Sequence, residues 1–159
     1  MKKYNHFQSI DKISRKNHPE ISRFNKIRLD KNERLKDFSK TFLNKFIKKI
    51  ETRSFTMYPE LNSSYNLLAK YLKVNVENLV ITSGSDLAIK NCFELIVRKN
   101  SEVITLYPTY GMVDVYCKLY QADQHKIIFG KNLKLDPNKI ITKINKKISL
   151  IIIANPNSP

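Results

Sequence analysis

Ile148-Ser149-Leu150-Ile151-Ile152-Ile153-Ala154-Asn155-Pro156-Asn157 is a short β-branched run that empties into an Asn/Pro turn. Such a run, bounded by turn formers, reads as a buried strand rather than a helix. In open α/β sheets the carboxyl ends of strands carry the ligand. The chain closes at Ser158-Pro159, directly behind this turn. The expectation is therefore that it stops inside a site.

Working back from this strand, the same rhythm recurs. Asp136 caps a helix with Pro137 in its first turn, preceded by a strand at 126–129. A helix is expected over 109–120, a strand over 103–106, a helix over 86–98 and a strand over 79–82. Strands alternating with helices of about ten residues predict an α/β fold of three layers, a mainly parallel sheet with helices on its faces. Upstream, Leu35, Phe38, Phe42, Phe46, Ile47 and Ile50 fall at helical spacing and predict an amphipathic helix over 34–50; Leu61, Tyr65, Leu68 and Leu72 predict a second over 60–73. Tyr58-Pro59 between them reads as an extended turn. The division expected is an amino-terminal arm and helix over 1–53 and the sheet-bearing part over 54–159.

Composition sets bounds on function. The 159 residues carry 29 Lys and Arg against 14 Asp and Glu, a formal charge of +15. Of these, 23 are Lys and only 6 are Arg, and residues 1–53 hold 16 basic and 6 acidic side chains. Arg is the residue suited to planar phosphate recognition, so its scarcity favours a solvated Lys-rich surface over a nucleic-acid interface. A basic nucleic-acid-binding module remains the weaker alternative. Cys92 and Cys117 lie among apolar residues without paired spacing, which predicts two buried thiols in a reducing compartment. His6, His18 and His125 lack metal-ligand spacing, and no metal site is expected. The first residues show neither a secretory signal nor a membrane span, so a soluble cytoplasmic protein is expected.

Three strand ends carry the chemistry. The chain has three glycines, Gly84, Gly111 and Gly130. Ser83-Gly84-Ser85-Asp86 leads from a strand into a helix whose first amides are unpaired, a ready anion cup; an ordinary turn capped by Ser85 or Asp86 is the plainer reading. Pro108-Thr109-Tyr110-Gly111 sets an aromatic ring at the next strand end, where a planar ligand could stack or where the ring could merely pack. Asn155 and Asn157 offer amides at the last, or simply form a turn. Taken in order, the cup, ring and amide suit a flat, phosphorylated ring.

With these motifs in this order, the chain resembles the amino-terminal half of a fold-type I, pyridoxal-phosphate-dependent aminotransferase of class I/II, and within it the histidinol-phosphate aminotransferase group. The resemblance spans about 27–159. Leu29-Asp30-Lys31-Asn32-Glu33 is similar to the family segment that lies over the substrate, which implies substrate contacts for Asn32 and Glu33. Tyr58-Pro59 matches the pair whose hydroxyl reaches the neighbouring subunit's cofactor phosphate. Val80 to Asp86 resembles the phosphate strand and turn, implying that Gly84, Ser85 and Asp86 hold the phosphate. Tyr110 matches the residue stacked on the pyridine ring, and Asn157 the one bonded to its phenolic oxygen.

The resemblance implies pyridoxal 5'-phosphate as cofactor, an amino acid and a 2-oxo acid or phosphorylated ketone or aldehyde as small-molecule substrates, and a homodimer of the full-length protein. It also implies an incomplete large domain. The lysine that holds the cofactor as a Schiff base, and the aspartate that pairs with its ring nitrogen, lie downstream in the family, so no catalytic residue is assigned here. The chain is accordingly expected to be a truncated, inactive portion of an aminotransferase, with a cofactor-free scaffold of the same fold as the alternative. Arg34-Leu35, Leu87 and Ser158 depart from the family pattern and leave the substrate open.

Overall fold

The computed structural model describes residues 22–29 and 33–157. The described residues fall into two compact units, one ending at Ile81 and one beginning at Thr82. No helix among them is long and apolar enough to cross a membrane.

The first unit holds helices α1 (Lys40–Ile47) and α2 (Asn62–Leu72). The helix expected over 34–50 is shorter because Ser39 starts it. Ser39 sits in extended geometry and its Oγ accepts the Phe42 N–H at 3.2 Å, a cap that fixes the first turn. The backbone before it is engaged elsewhere: the Arg28 guanidinium donates to the Arg34 carbonyl at 3.2 Å. Phe38, Phe42 and Phe46 still form the expected stripe, with successive ring centroids 5.0 and 6.5 Å apart. The α2 helix ends at Lys73, whose φ of 57° is left-handed.

Leu79 is extended, but residues 79–82 join no sheet among the described residues, contrary to the strand expected there. Extended backbone becomes a strand only when a ladder satisfies its polar groups. Here the Ile81 N–H is taken by the Tyr65 hydroxyl at 3.1 Å instead.

The second unit runs α3 (Gly84–Ile96), β1 (Glu102–Tyr107), α4 (Gly111–Leu119), β2 (Asp123–Ile128), α5 (Pro137–Ile141) and β3 (Ile148–Ile152). The three strands form one parallel sheet in the order β2-β1-β3. Strand β1 is central, and its residues 103–106 are buried without interruption, as a strand covered on both faces requires. Val103 faces a cluster with Phe93, Val97, Val113, Tyr116 and Cys117 from α3 and α4. Ile104 and Leu106 face the other way, onto Ile127 and Ile140 of β2 and α5. This is the α/β fold of three layers that the alternation of elements predicts.

A local irregularity keeps β3 amphipathic across both layers. Glu102 pairs with Ile148, but Val103 pairs with Leu150, so Ser149 is the extra residue of a bulge. Side chains alternate with period two, and one inserted residue flips those beyond it. Ile148 therefore packs with the Ile104 cluster while Leu150 and Ile152 pack with the Val103 cluster.

The two thiols part company. Cys117 is buried, and burial, with Asp114 nearby, pushes its pKa up to about 12. Cys92 is exposed, correcting the expectation of two buried cysteines, because its position on α3 turns away from the sheet-facing Phe93. Iodoacetamide at pH 8 should thus label one thiol of the native chain and two in 8 M urea; two labelled natively would show the α4 layer to be open.

Candidate active site at the strand ends

Because the strands are parallel, Tyr107, Ile128 and Ile152 end on one edge of the sheet. The chain leaves β1 toward β2, then returns across it to β3, so β1 and β3 are neighbours whose loops go separate ways. The ends of such strands border the crevice in which open sheets take ligands. The loops after β1 and β3 meet there through hydrogen bonds. Thr109 Oγ1 donates to Asn157 Oδ1 at 2.8 Å, and Asn157 Nδ2 donates to the Pro108 carbonyl at 2.9 Å. The peptide bonds Tyr107–Pro108 and Asn155–Pro156 in these loops are cis.

Helix α3 brings its first turn to the same place. It begins at Gly84, two residues earlier than expected, and Ser83 at the N-cap makes no capping bond. Neither Ser85 nor Asp86 caps it, contrary to the cap that the plainer sequence reading places there. Gly84 has φ +82°, a conformation that L side chains rarely adopt, which is why glycine stands at this turn. The first-turn amides lie at the positive end of a thirteen-residue helix. Asp86 joins this turn to the aromatic loop: the Tyr110 hydroxyl donates to its Oδ1 at 2.7 Å, and the Tyr116 hydroxyl to its backbone carbonyl at 3.2 Å. Burial and the Asp86 charge push the Tyr116 hydroxyl's pKa up.

Gly84, Ser85, Asp86, Tyr110 and Asn157 are thus gathered at one rim by bonds spanning 24 and 48 residues of sequence. The other expected positions belong to the first unit or lie outside the described residues. Tyr58 belongs to the first unit, where it is 98% exposed beside a shallow hollow lined also by Arg53 and Glu60. Glu33 is paired with Arg23 and Arg28, each at 3.2 Å. Asn32 lies outside the described residues.

Sequence reasoning missed the support beneath the rim. Asp114 in the first turn of α4 accepts from Gln124 Nε2 and Lys126 Nζ of β2, both at 2.7 Å. Gln124 also donates to the fully buried Thr105 Oγ1 at 2.9 Å. Burial alone would raise the Asp114 pKa, but the bonds from Lys126 and Gln124 hold it below the usual carboxylate range. Lys126 Nζ also lies 4.8 Å from the centre of the Tyr107 ring, at the strand end itself. The spacing of Gln124 and Lys126 on one strand face was the available signal.

An anion-ready helix start, an aromatic ring and an amide at one parallel-sheet rim call for comparison with known proteins. The profile for aminotransferase class I and II matches residues 25–159. A histidinol-phosphate aminotransferase of Clostridium novyi (strain NT) is 31% identical over 137 residues, covering 84% of this chain and 38% of that protein. The histidinol-phosphate aminotransferase structure from Clostridium acetobutylicum has a TM-score of 0.61 at 24% identity, over 76% of this chain and 34% of its own. That from Sinorhizobium meliloti, solved in complex with pyridoxal-5'-phosphate, has a TM-score of 0.66 at 16% identity, over 76% of this chain and 33% of its own. The chain spans about two fifths of the length of the curated relatives it matches. With the profile covering all the strands, the α3 turn and the rim that joins them, the chain belongs to the aminotransferase class I and II family.

Proposed function

We propose that the full-length protein carrying this chain is a pyridoxal-phosphate-dependent aminotransferase, moving an amino group between an amino acid and a 2-oxo acid or a phosphorylated ketone or aldehyde. The histidinol-phosphate type of substrate is favoured by the relatives. The observation that carries the reading is the bonded rim, where Asp86–Tyr110 and Thr109–Asn157 tie three chain segments to one edge in a member of this family.

The donor set suits the cofactor. The first-turn amides of Gly84, Ser85 and Asp86 would hold a phosphate by the same physics that seats anions at other helix starts. The half-buried Tyr110 ring would stack on a pyridine face. Asn157 Nδ2 gives one proton to Pro108 and keeps one for a phenolic oxygen. When bound, pyridoxal phosphate supplies the electron sink for a carbanion at the amino acid's α-carbon. This chain's residues bind and orient; the lysine that moves the proton is proposed to lie in the remaining three fifths of the protein. Tyr58, with its side chain open to solvent, would reach the cofactor phosphate of a second subunit in a homodimer. Asn32 and Glu33 would border the substrate.

The test is amino transfer by the full-length protein from histidinol phosphate to a 2-oxo acid, with and without pyridoxal phosphate. Cofactor-dependent formation of the new amino acid is expected. A full-length protein that neither retains the cofactor on dialysis nor transfers the amino group would overturn the proposal.

A further inference from the structure

We propose that the Asp86 carboxylate is a positioning group that pins the Tyr110 ring, and that it makes no contact with the bound phosphate. The inference rests on the aminotransferase reading and assigns a separate job to one side chain of that site.

Two tyrosines converge on this residue. Tyr110, at the N-cap of α4, donates to Asp86 Oδ1 at 2.7 Å, and Tyr116, two turns along, donates to the Asp86 carbonyl at 3.2 Å. The first distance is that of a well-formed O–H···O hydrogen bond. Tyr110 is therefore held at both ends, by its backbone at the helix start and by its hydroxyl 24 residues away in sequence. A tyrosine has only two side-chain torsions: holding both ends sets the first and so the ring axis, and the phenolic O–H, which favours the ring plane, biases the second toward the plane that contains its acceptor. A ring fixed in advance needs no ordering when a flat partner stacks on it.

The same bond answers an electrostatic difficulty. A carboxylate in the first turn of α3 stands near the amides that would take a dianionic phosphate, where its charge repels. The bond to Tyr110 directs Oδ1 toward the aromatic loop and leaves the backbone amides for the anion. Phe93 packs against Tyr116 in a tilted arrangement with ring centroids 5.7 Å apart, so the second tyrosine is itself set by the core.

The test uses the full-length protein and pyridoxal phosphate as probe. Tyr110→Phe, Asp86→Ala, their double variant and Asp86→Asn are compared by cofactor dissociation constant and by visible circular dichroism of the bound cofactor. Each of the first two should weaken binding about fivefold to tenfold and reduce the dichroism. Because both remove one bond, the double variant should match the worse single variant within about twofold. Asp86→Asn keeps an acceptor oxygen and should restore most of the dichroism. Single variants that bind like the wild type, losses that multiply in the double variant, or tighter binding by Asp86→Ala would each overturn the assignment. Tyr110→Phe removes a single oxygen and carries the test even if Asp86→Ala does not fold. A wild-type protein that binds no pyridoxal phosphate would instead remove the aminotransferase reading, and this inference with it.

Discussion

Truncating Phe93 to Ala should lower the unfolding free energy of the chain by about 3–5 kcal/mol, measured by urea denaturation. Phe93 is fully buried and is the largest such side chain of the unit that carries the sheet. It packs against Val97, Val103, Val113 and Cys117, and its ring lies 5.7 and 5.8 Å from those of Tyr116 and Tyr120. Removing it leaves a void that helices α3 and α4 cannot both close, since each is also held to the sheet. Typical domains have only about 5–15 kcal/mol in hand, so the loss is a large part of the whole. The effect should reach the site, because Tyr116 links this cluster to Asp86. A loss below about 1 kcal/mol would show that the layer does not close on Phe93.

How much of this was legible in the sequence depends on the range of the interaction. The central strand was readable because burial on both faces leaves 103–106 mostly β-branched and apolar, with Thr105 the one polar side chain, and the Asp136-Pro137 start of α5 is a local signal that the structure returns, Asp136 accepting the Asn138 N–H at 3.0 Å. The Ser39 cap was equally local but sat inside a hydrophobic period that ran past it on both sides. The segment 79–82 has strand composition, yet pairing is a property of neighbours, and composition does not supply one. The Ser149 bulge is of the same kind: the apolar residues around it do not show which of them face which layer until the register is known.

The candidate site divides along the same line. Gly84 was legible because a chain with three glycines places one at the turn into a helix, and the φ of +82° gives the reason. Tyr110 and Asn157 were legible as strand-end residues in a familiar order. Their bonding was not. The Asp86–Tyr110 and Thr109–Asn157 contacts join positions 24 and 48 residues apart, and no periodicity links them. Asp86, expected to offer its backbone amide to the phosphate, has its carboxylate hydrogen-bonded to Tyr110, a contact that only the fold could reveal.

Ser85→Asp should weaken pyridoxal phosphate binding by the full-length protein about 100-fold while leaving the stability of the cofactor-free protein nearly unchanged. Ser85 is exposed in the first turn of α3. A carboxylate there sits favourably at the positive end of the helix, worth about 0.3–1 kcal/mol, offset in part by its proximity to Asp86. Toward a bound phosphate the sign reverses. Two unit charges about 4 Å apart near a protein surface repel by about 4 kcal/mol, and solvent and salt reduce that to the two orders of magnitude expected. Ser85→Ala removes one hydroxyl but none of the backbone amides, so its loss should stay within about fivefold. The Ser85→Asp loss should also shrink as ionic strength rises, whereas a steric loss would not. Opposite responses of folding and binding to the same charge distinguish an anion seat from a turn that merely connects a strand to a helix. A Ser85→Asp protein that binds the cofactor like the wild type at low salt would place the phosphate elsewhere.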